Sequence, residues 1–209
     1  EYALNPGEYL VVPDVCVAIT NNWPTSAIFF NEGEIQFDSV AINTSDKMAE
    51  LLAKILIYEK FEMEPEFAQT SDSTDFLLQQ YDAVIGSGHT IFEEKRSIPN
   101  FFDIGEEWQD FTGLPLILYF WAARSGNANE KDSSLLQKAR NAGVQYITEI
   151  ITQYKSMKIR SISDERIFDV NNFDFNFKDE YKNSLKKIWE YAFYYGQIEH
   201  IPNVIFLEK

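Results

Sequence analysis

The residues with most chemical promise are hydroxyls and amides that fall at the ends of apolar segments. Asn21, Thr25 and Ser26 belong to or border a polar loop, 20–25, set between the apolar runs 15–19 and 26–30. Loops in that position display ligand-binding groups on a rigid scaffold. Thr44 and Ser45 lie in the Asn43-Thr44-Ser45-Asp46 turn between a predicted strand, 39–42, and a predicted helix from about residue 47 to 58. A hydroxyl there caps the helix, and the same N-terminal amides hold a carboxylate or phosphate. One cap needs one hydroxyl, so the second is left for a ligand. Ser87 sits in Gly86-Ser87-Gly88, directly after the apolar run 83–85. That triplet lacks the third glycine of a dinucleotide fingerprint, and its strand is not the first of such a unit. The glycine pair instead lets the backbone approach something closely, either a ligand or a neighbouring helix.

Other chemistries find little support. The single cysteine, Cys16, lies inside the apolar run 15–19, where a thiol acts as a small buried hydrophobe; no intrachain disulfide is possible. His89 follows a predicted strand end, but the other histidine, His200, is distant, and no nucleophile–base ordering emerges. Two histidines and one cysteine provide no zinc-like spacing, so no metal site is expected. His89 reads as a surface or capping residue.

Composition narrows the partners. The 209 residues carry 33 acidic against 18 basic side chains, a formal net charge of −15. That field repels nucleic acid and anionic membrane, which are both excluded as expected partners. It does not exclude a small anionic ligand held by hydroxyls and helix N-termini. With 45% apolar residues, including 17 Phe, 11 Tyr and 4 Trp, the chain can build a substantial core. No signal peptide, lipidation motif or long apolar span is recognisable, so a cytoplasmic location is expected, although the chain opens at Glu1 without a methionine. Oligomeric state is not legible.

Elements must position these groups. Runs 9–12 and 15–19 read as strands broken by Pro13-Asp14, followed by strands at 26–30, 39–42, 64–68 and 83–85. Helices are predicted over 47–58, with Met48, Leu51, Leu52, Ile55 and Leu56 at helical spacing, and over 71–80. Strand alternating with helix indicates a parallel α/β sheet. A polar turn follows, with Glu106, Glu107 and Asp110 facing solvent and Trp108 and Phe111 packed, ended by Gly113 and Pro115. Residues 116–123 form an apolar run suited to a fully buried strand and too short for a membrane span. Ser133-Ser134 should cap one long helix, 135–154; a short helix starts at Ser161, and a last helix, 178–195, is closed by Gly196.

Several motifs carry a resemblance. Asp103-Ile104-Gly105-Glu106-Glu107-Trp108, then Thr112-Gly113-Leu114-Pro115, then Trp121-Ala122-Ala123-Arg124 resemble the menaquinone-biosynthesis family of the futalosine pathway, in its chorismate dehydratase branch. The run 9–19, Thr25-Ser26 with the strand after it, Thr44-Ser45, the run 82–86 and Gly196-Gln197-Ile198 agree in order and spacing. The resemblance implies an α/β fold of the type II periplasmic-binding-protein kind, two-lobed, with a ligand cleft between the lobes. Residues 1–32 and 115–209 would form lobe 1, lacking its N-terminal segment, and 33–114 lobe 2, with crossings near 30–36 and 114–120. It further implies a carbon–oxygen lyase that removes water from chorismate to give 3-[(1-carboxyvinyl)oxy]benzoate without metal or redox cofactor. A base takes a ring proton, hydroxide leaves, and aromatisation supplies much of the driving force. The small carboxylate ligand would be held by Ser26, Thr44 and Ser45, with Asn21, Thr25, Ser87 and Trp121 as further contacts; no residue is identified as the base. The chain departs from the family pattern at Asn21-Asn22-Trp23-Pro24, Lys47-Met48 and Ser87, and it opens at what resembles an internal Glu-Tyr, Glu1-Tyr2. Two alternatives stay open: a non-catalytic solute-binding protein on the same fold, and a 1,4-dihydroxy-6-naphthoate synthase-like enzyme.

Overall fold

The computed structural model describes residues 2–5, 7–20, 22–23, 25–33, 36–88, 90–156 and 172–208. In chain order the elements are a 3₁₀ turn (Tyr2–Leu4), β1 (Tyr9–Ile19), β2 (Ser26–Phe30), β3 (Ser39–Asn43), α1 (Lys47–Ile55), β4 (Glu66–Gln69), α2 (Thr74–Leu77), β5 (Ala83–Ser87), α3 (Ile91–Ser97), β6 (Phe101–Asp103) and α4 (Ile104–Thr112). Then come β7 (Leu116–Arg124), α5 (Glu130–Gln145), α6 (Ile147–Ser156), β8 (Phe173–Asp174) and α7 (Asp179–Tyr194). They form two compact units, Glu1–Thr20 with Leu114–Lys209, and Asn21–Gly113. The strand Ser26–Phe30, assigned by the sequence reading to lobe 1, lies in the second unit. Hydrogen bonding to β5 and β6 decides this, moving the first crossing from 30–36 to Thr20/Asn21. Residues 157–171, where the short helix from Ser161 was expected, lie outside the described residues, as does His89.

The second unit is a five-stranded sheet in the order β4-β3-β5-β2-β6. β3 pairs in parallel with β4 and β5, while β2 runs antiparallel to β5 and β6. Strands buried on both faces read as continuous apolar runs, which is how 26–30, 39–43 and 83–87 read. Alternation then divides each run. Ala27, Phe29, Ala41 and Val84 belong to clusters with Ile91, Ile98 and Leu77, from the α2–α3 side. Ile28, Ile42 and Ile85 occupy the opposite pleat and are equally buried, as are Leu52, Ile55, Leu56 and Trp108 of the α1 and α4 layer. Gly86 meets α3 closely: a Cβ there would lie 2.5 Å from Ile91 Cδ1. Of the two reasons offered for the Gly86 approach, the neighbouring helix is the one observed.

The first unit holds the sheet β7-β1-β8, with β1 antiparallel to both neighbours. Pro13-Asp14 does not break β1 as expected. The register jumps between the Val11–Ala122 and Cys16–Phe120 pairs, with Asp14 at φ 62°. Pro13 has no N–H to give the ladder, so the extra residues bulge out and the strand resumes. β7 is not fully buried: Leu116 and Ile117 are, but Tyr119 and Trp121 are 62% and 43% exposed, because β7 is an edge strand. The predicted helix 135–154 is two helices parted at Tyr146, and Asn129, not Ser133 or Ser134, caps the first. Asn129 and Asp132 exchange side-chain and backbone hydrogen bonds in a capping box. One face of α7 is core: Tyr181, Leu185, Ile188, Trp189 and Ala192 are buried and Trp189 stacks on Tyr2, whereas Phe193 is exposed. No helix among the described residues is long and apolar enough to cross a membrane.

Candidate functional site

Strand direction in the second unit gathers the hydroxyls. β3 and β5 end where antiparallel β2 begins, so the register sets Ser26 opposite Ser87 and Asn43 opposite Gly86. Residues far apart in the chain thereby share one end of the sheet. Thr44 Oγ1 and Ser87 Oγ are hydrogen-bonded to each other. Thr44 Oγ1 also accepts the Asp46 N–H at 2.9 Å, and its carbonyl accepts Gln69 Nε2 at 3.2 Å. Thr44 is therefore fixed and nearly buried, whereas Ser45 beside it is exposed. Thr25 closes the loop end, its carbonyl accepting the Gly88 N–H at 2.9 Å.

Ser26 is fully buried, and its Oγ has no hydrogen-bond partner. An orphaned buried hydroxyl costs about 1–3 kcal/mol, which a polar group of a ligand would relieve. The cap of α1 differs from expectation. Asp46, not Thr44 or Ser45, accepts from the Met48 and Ala49 amides, at 2.9 and 3.2 Å. A carboxylate complements the helix dipole better than a hydroxyl does, and it occupies the amides a ligand anion would have used. What remains for a ligand is neutral hydroxyl chemistry. The nearest cation in sequence, Lys47, is tied to Glu50 at 2.9 Å.

A buried clamp supports the loop that leads into Ser26. Asp103 Oδ1 accepts the amides of Trp23 (2.6 Å), Gly105 (2.9 Å) and Glu106 (3.2 Å), so one carboxylate oxygen both caps α4 and holds the loop. Its Oδ2 takes Lys95 Nζ at 2.6 Å, and Lys95 also donates to the Trp23 carbonyl at 3.0 Å. That same carbonyl accepts the Ser26 N–H at 3.1 Å. Burial pulls the Lys95 pKa down, with Asp103 opposing. Sequence reasoning missed this clamp. The Asp103-x-x-Glu106 spacing is a capping signal that could have found half of it; nothing in the sequence pairs Lys95 with Asp103.

At the other end of the same strands, Asp82 accepts the Ser39 N–H (2.8 Å), Ser39 Oγ (3.0 Å) and the Asp38 N–H (2.9 Å). Burial opposes its ionisation, but these hydrogen bonds outweigh it and hold the carboxyl below its ordinary pKa.

A family model described as menaquinone biosynthesis matches residues 1–194. The chain belongs to the menaquinone biosynthesis family. Its fold is also that of protein AF1704 from Archaeoglobus fulgidus, whose crystal structure superposes with a TM-score of 0.62 at 18% identity, over 94% of this chain and 76% of that one.

Within this menaquinone biosynthesis family member, the most diagnostic motif is structural. Asp103 is the cap and clamp, Trp108 is fully buried, and Glu107 pairs with Lys60, which also reaches Asp110. Gly113 adopts φ 69° to end α4, as its type and position predict. Of the residues proposed as ligand contacts, Ser26, Thr44, Ser87 and Thr25 share the sheet end, with Ser45 exposed in the turn beside Thr44. Asn21 lies outside the described residues. Trp121 belongs to the first unit, on β7. Cys16 is buried, and burial pushes its thiol up to about 12, which removes it as a nucleophile at neutral pH. Among the described residues no cluster of three His, Cys, Asp or Glu could hold a metal.

Proposed function

We propose that this chain is a chorismate dehydratase-like lyase of menaquinone biosynthesis, taking water from chorismate to leave 3-[(1-carboxyvinyl)oxy]benzoate. The orphaned Ser26 hydroxyl carries the reading, set one strand from the Thr44–Ser87 pair in a chain of this family. Chorismate brings carboxylates and a ring hydroxyl. Neutral hydroxyls fixed by the sheet hold such groups by donating hydrogen bonds, without an opposing charge and without the entropy loss of long side chains. The reaction removes one ring proton and one hydroxide, so product plus water balance the substrate. The role given to Ser26, Thr44 and Ser87 is to bind and orient, fixing the ring for proton removal.

The test is to incubate the protein with chorismate, follow the enolpyruvyl benzoate by chromatography, and measure chorismate affinity by calorimetry. Ser26→Ala should weaken affinity about tenfold, the equivalent of one hydrogen bond, while leaving stability unchanged or raising it by about 1 kcal/mol. Thr44→Val with Ser45→Ala should weaken ligand binding and also cost about 1–3 kcal/mol of stability, because it strips Ser87 Oγ and the Asp46 N–H of their partner. Binding without turnover would instead establish a solute-binding protein on this fold. Neither binding nor turnover would end the chorismate reading.

A further inference from the structure

The first unit contains a cavity of about 330 Å³ with an almost wholly apolar wall. It lies where the β1 bulge rejoins the ladder, between Val15–Val17 and Trp121 on one side and the facing sides of α5 and α6 on the other. Among the described residues one cation, Arg140, lines it. Arg140 Nη1 donates to the Phe175 carbonyl at 3.3 Å, while its Nε is buried and has no partner. Among the described residues no carboxylate lies within ion-pair distance of Arg140, although acids outnumber bases by 33 to 18 in the chain. Asp174, next in sequence to Phe175, is occupied by Lys178 at 2.5 Å and the Tyr181 hydroxyl at 2.7 Å. Gly143, one turn beyond Arg140 and also on the wall, has open space where a side chain would begin.

A guanidinium with unspent donors in an apolar wall is complementary to a carboxylate on an apolar body. We propose that this cavity is a binding site for a small apolar monocarboxylate, its carboxylate on Arg140 and its hydrocarbon between Trp121 and the α5–α6 face. At the low end of ligand-pocket volumes, the cavity suits a ligand of about ten non-hydrogen atoms. Cys16 on the wall stays a neutral thiol, since burial raises its pKa to about 12, so it adds no competing negative charge. The site is built from residues of the first unit alone and does not rest on the chorismate reading.

The probes are octanoate and, as its uncharged counterpart, 1-octanol, titrated at pH 7 into the whole chain carrying labelled methyl groups for NMR. Octanoate should shift the methyls of Val15, Val17, Val144, Ile147 and Ile150, and leave those of Ile28, Ile42 and Ile85 in place. Arg140→Leu should weaken octanoate at least tenfold and octanol less than twofold; Arg140→Lys, which keeps the charge, should fall between. Gly143→Leu should block both probes by filling the cavity. Dispersed methyl signals in each variant show that it is folded. Equal binding of octanoate and octanol by the wild type, or no loss of octanoate on Arg140→Leu, would overturn the proposal. So would shifts of the same methyls with protein concentration alone, which would make this face an interface between copies of the chain.

Discussion

Replacing Asp103 by Asn tests the clamp beneath the hydroxyl cluster. The amide keeps an acceptor for the Trp23, Gly105 and Glu106 N–H groups, so the cap survives; what is lost is the charge facing Lys95 at 2.6 Å. Both side chains are nearly buried, at 10% and 3% exposure for Lys95 and Asp103. Removing one partner of a buried pair costs about 3–5 kcal/mol, because the other charge is left without compensation. Lys95 keeps the Trp23 carbonyl at 3.0 Å, which places Asp103→Asn at the low end, about 3 kcal/mol. Asp103→Ala adds loss of the cap, for a total of about 4 kcal/mol. Lys95→Met with Asp103→Asn removes the stranded charge and should recover most of the loss, leaving about 1 kcal/mol. Two compact units need not unfold together, so the assay is amide hydrogen exchange read by segment. Exchange in β2 and α4 should accelerate roughly 100-fold in Asp103→Asn, at tenfold per 1.4 kcal/mol, while β1 and β7 act as the internal control. An acceleration under about fivefold, or a double variant no better than the single, would show that the pair is solvated and contributes nothing.

Two further outcomes follow from the same unit. Asp82 has a folded pKa below its ordinary value, so the stability it contributes is present above about pH 3.9 and is lost as pH falls through the folded value. Urea midpoints taken from pH 5 down to pH 2 should fall, and Asp82→Asn should flatten that fall; an identical slope in the variant would refute the assignment. Gly86→Ala should cost about 1–2 kcal/mol, since the new methyl meets Ile91 Cδ1 at 2.5 Å and Phe29 Cε2 at 3.6 Å. Ile91→Val removes the contacted methyl, so the double variant should be less destabilised than the sum of the singles in a thermal-unfolding cycle. Additive costs would show that α3 does not press on Gly86.

Local patterns in the sequence were enough for the strands at 26–30, 39–42 and 83–85, the helix that starts at Lys47 and the left-handed stop at Gly113. Each depends on neighbours within a few positions: pleat alternation, helical spacing, or a backbone angle that glycine adopts freely. The same locality misled it where several residues competed. Two hydroxyls and an aspartate stood before α1, and Asp46 took the cap because a carboxylate answers the helix dipole more strongly. The apolar run 116–123 looked fully buried, yet β7 lies at a sheet edge, and edge position is a property of pairing rather than composition. For the candidate site, residue types alone nominated Ser26, Thr44 and Ser87, but only the antiparallel turn of β2 against β5 and the parallel run of β3 beside it bring them to one end of the sheet. The Lys95–Asp103 clamp and the missing partner of Ser26 were likewise invisible, because burial and hydrogen-bond satisfaction exist only once distant segments have packed.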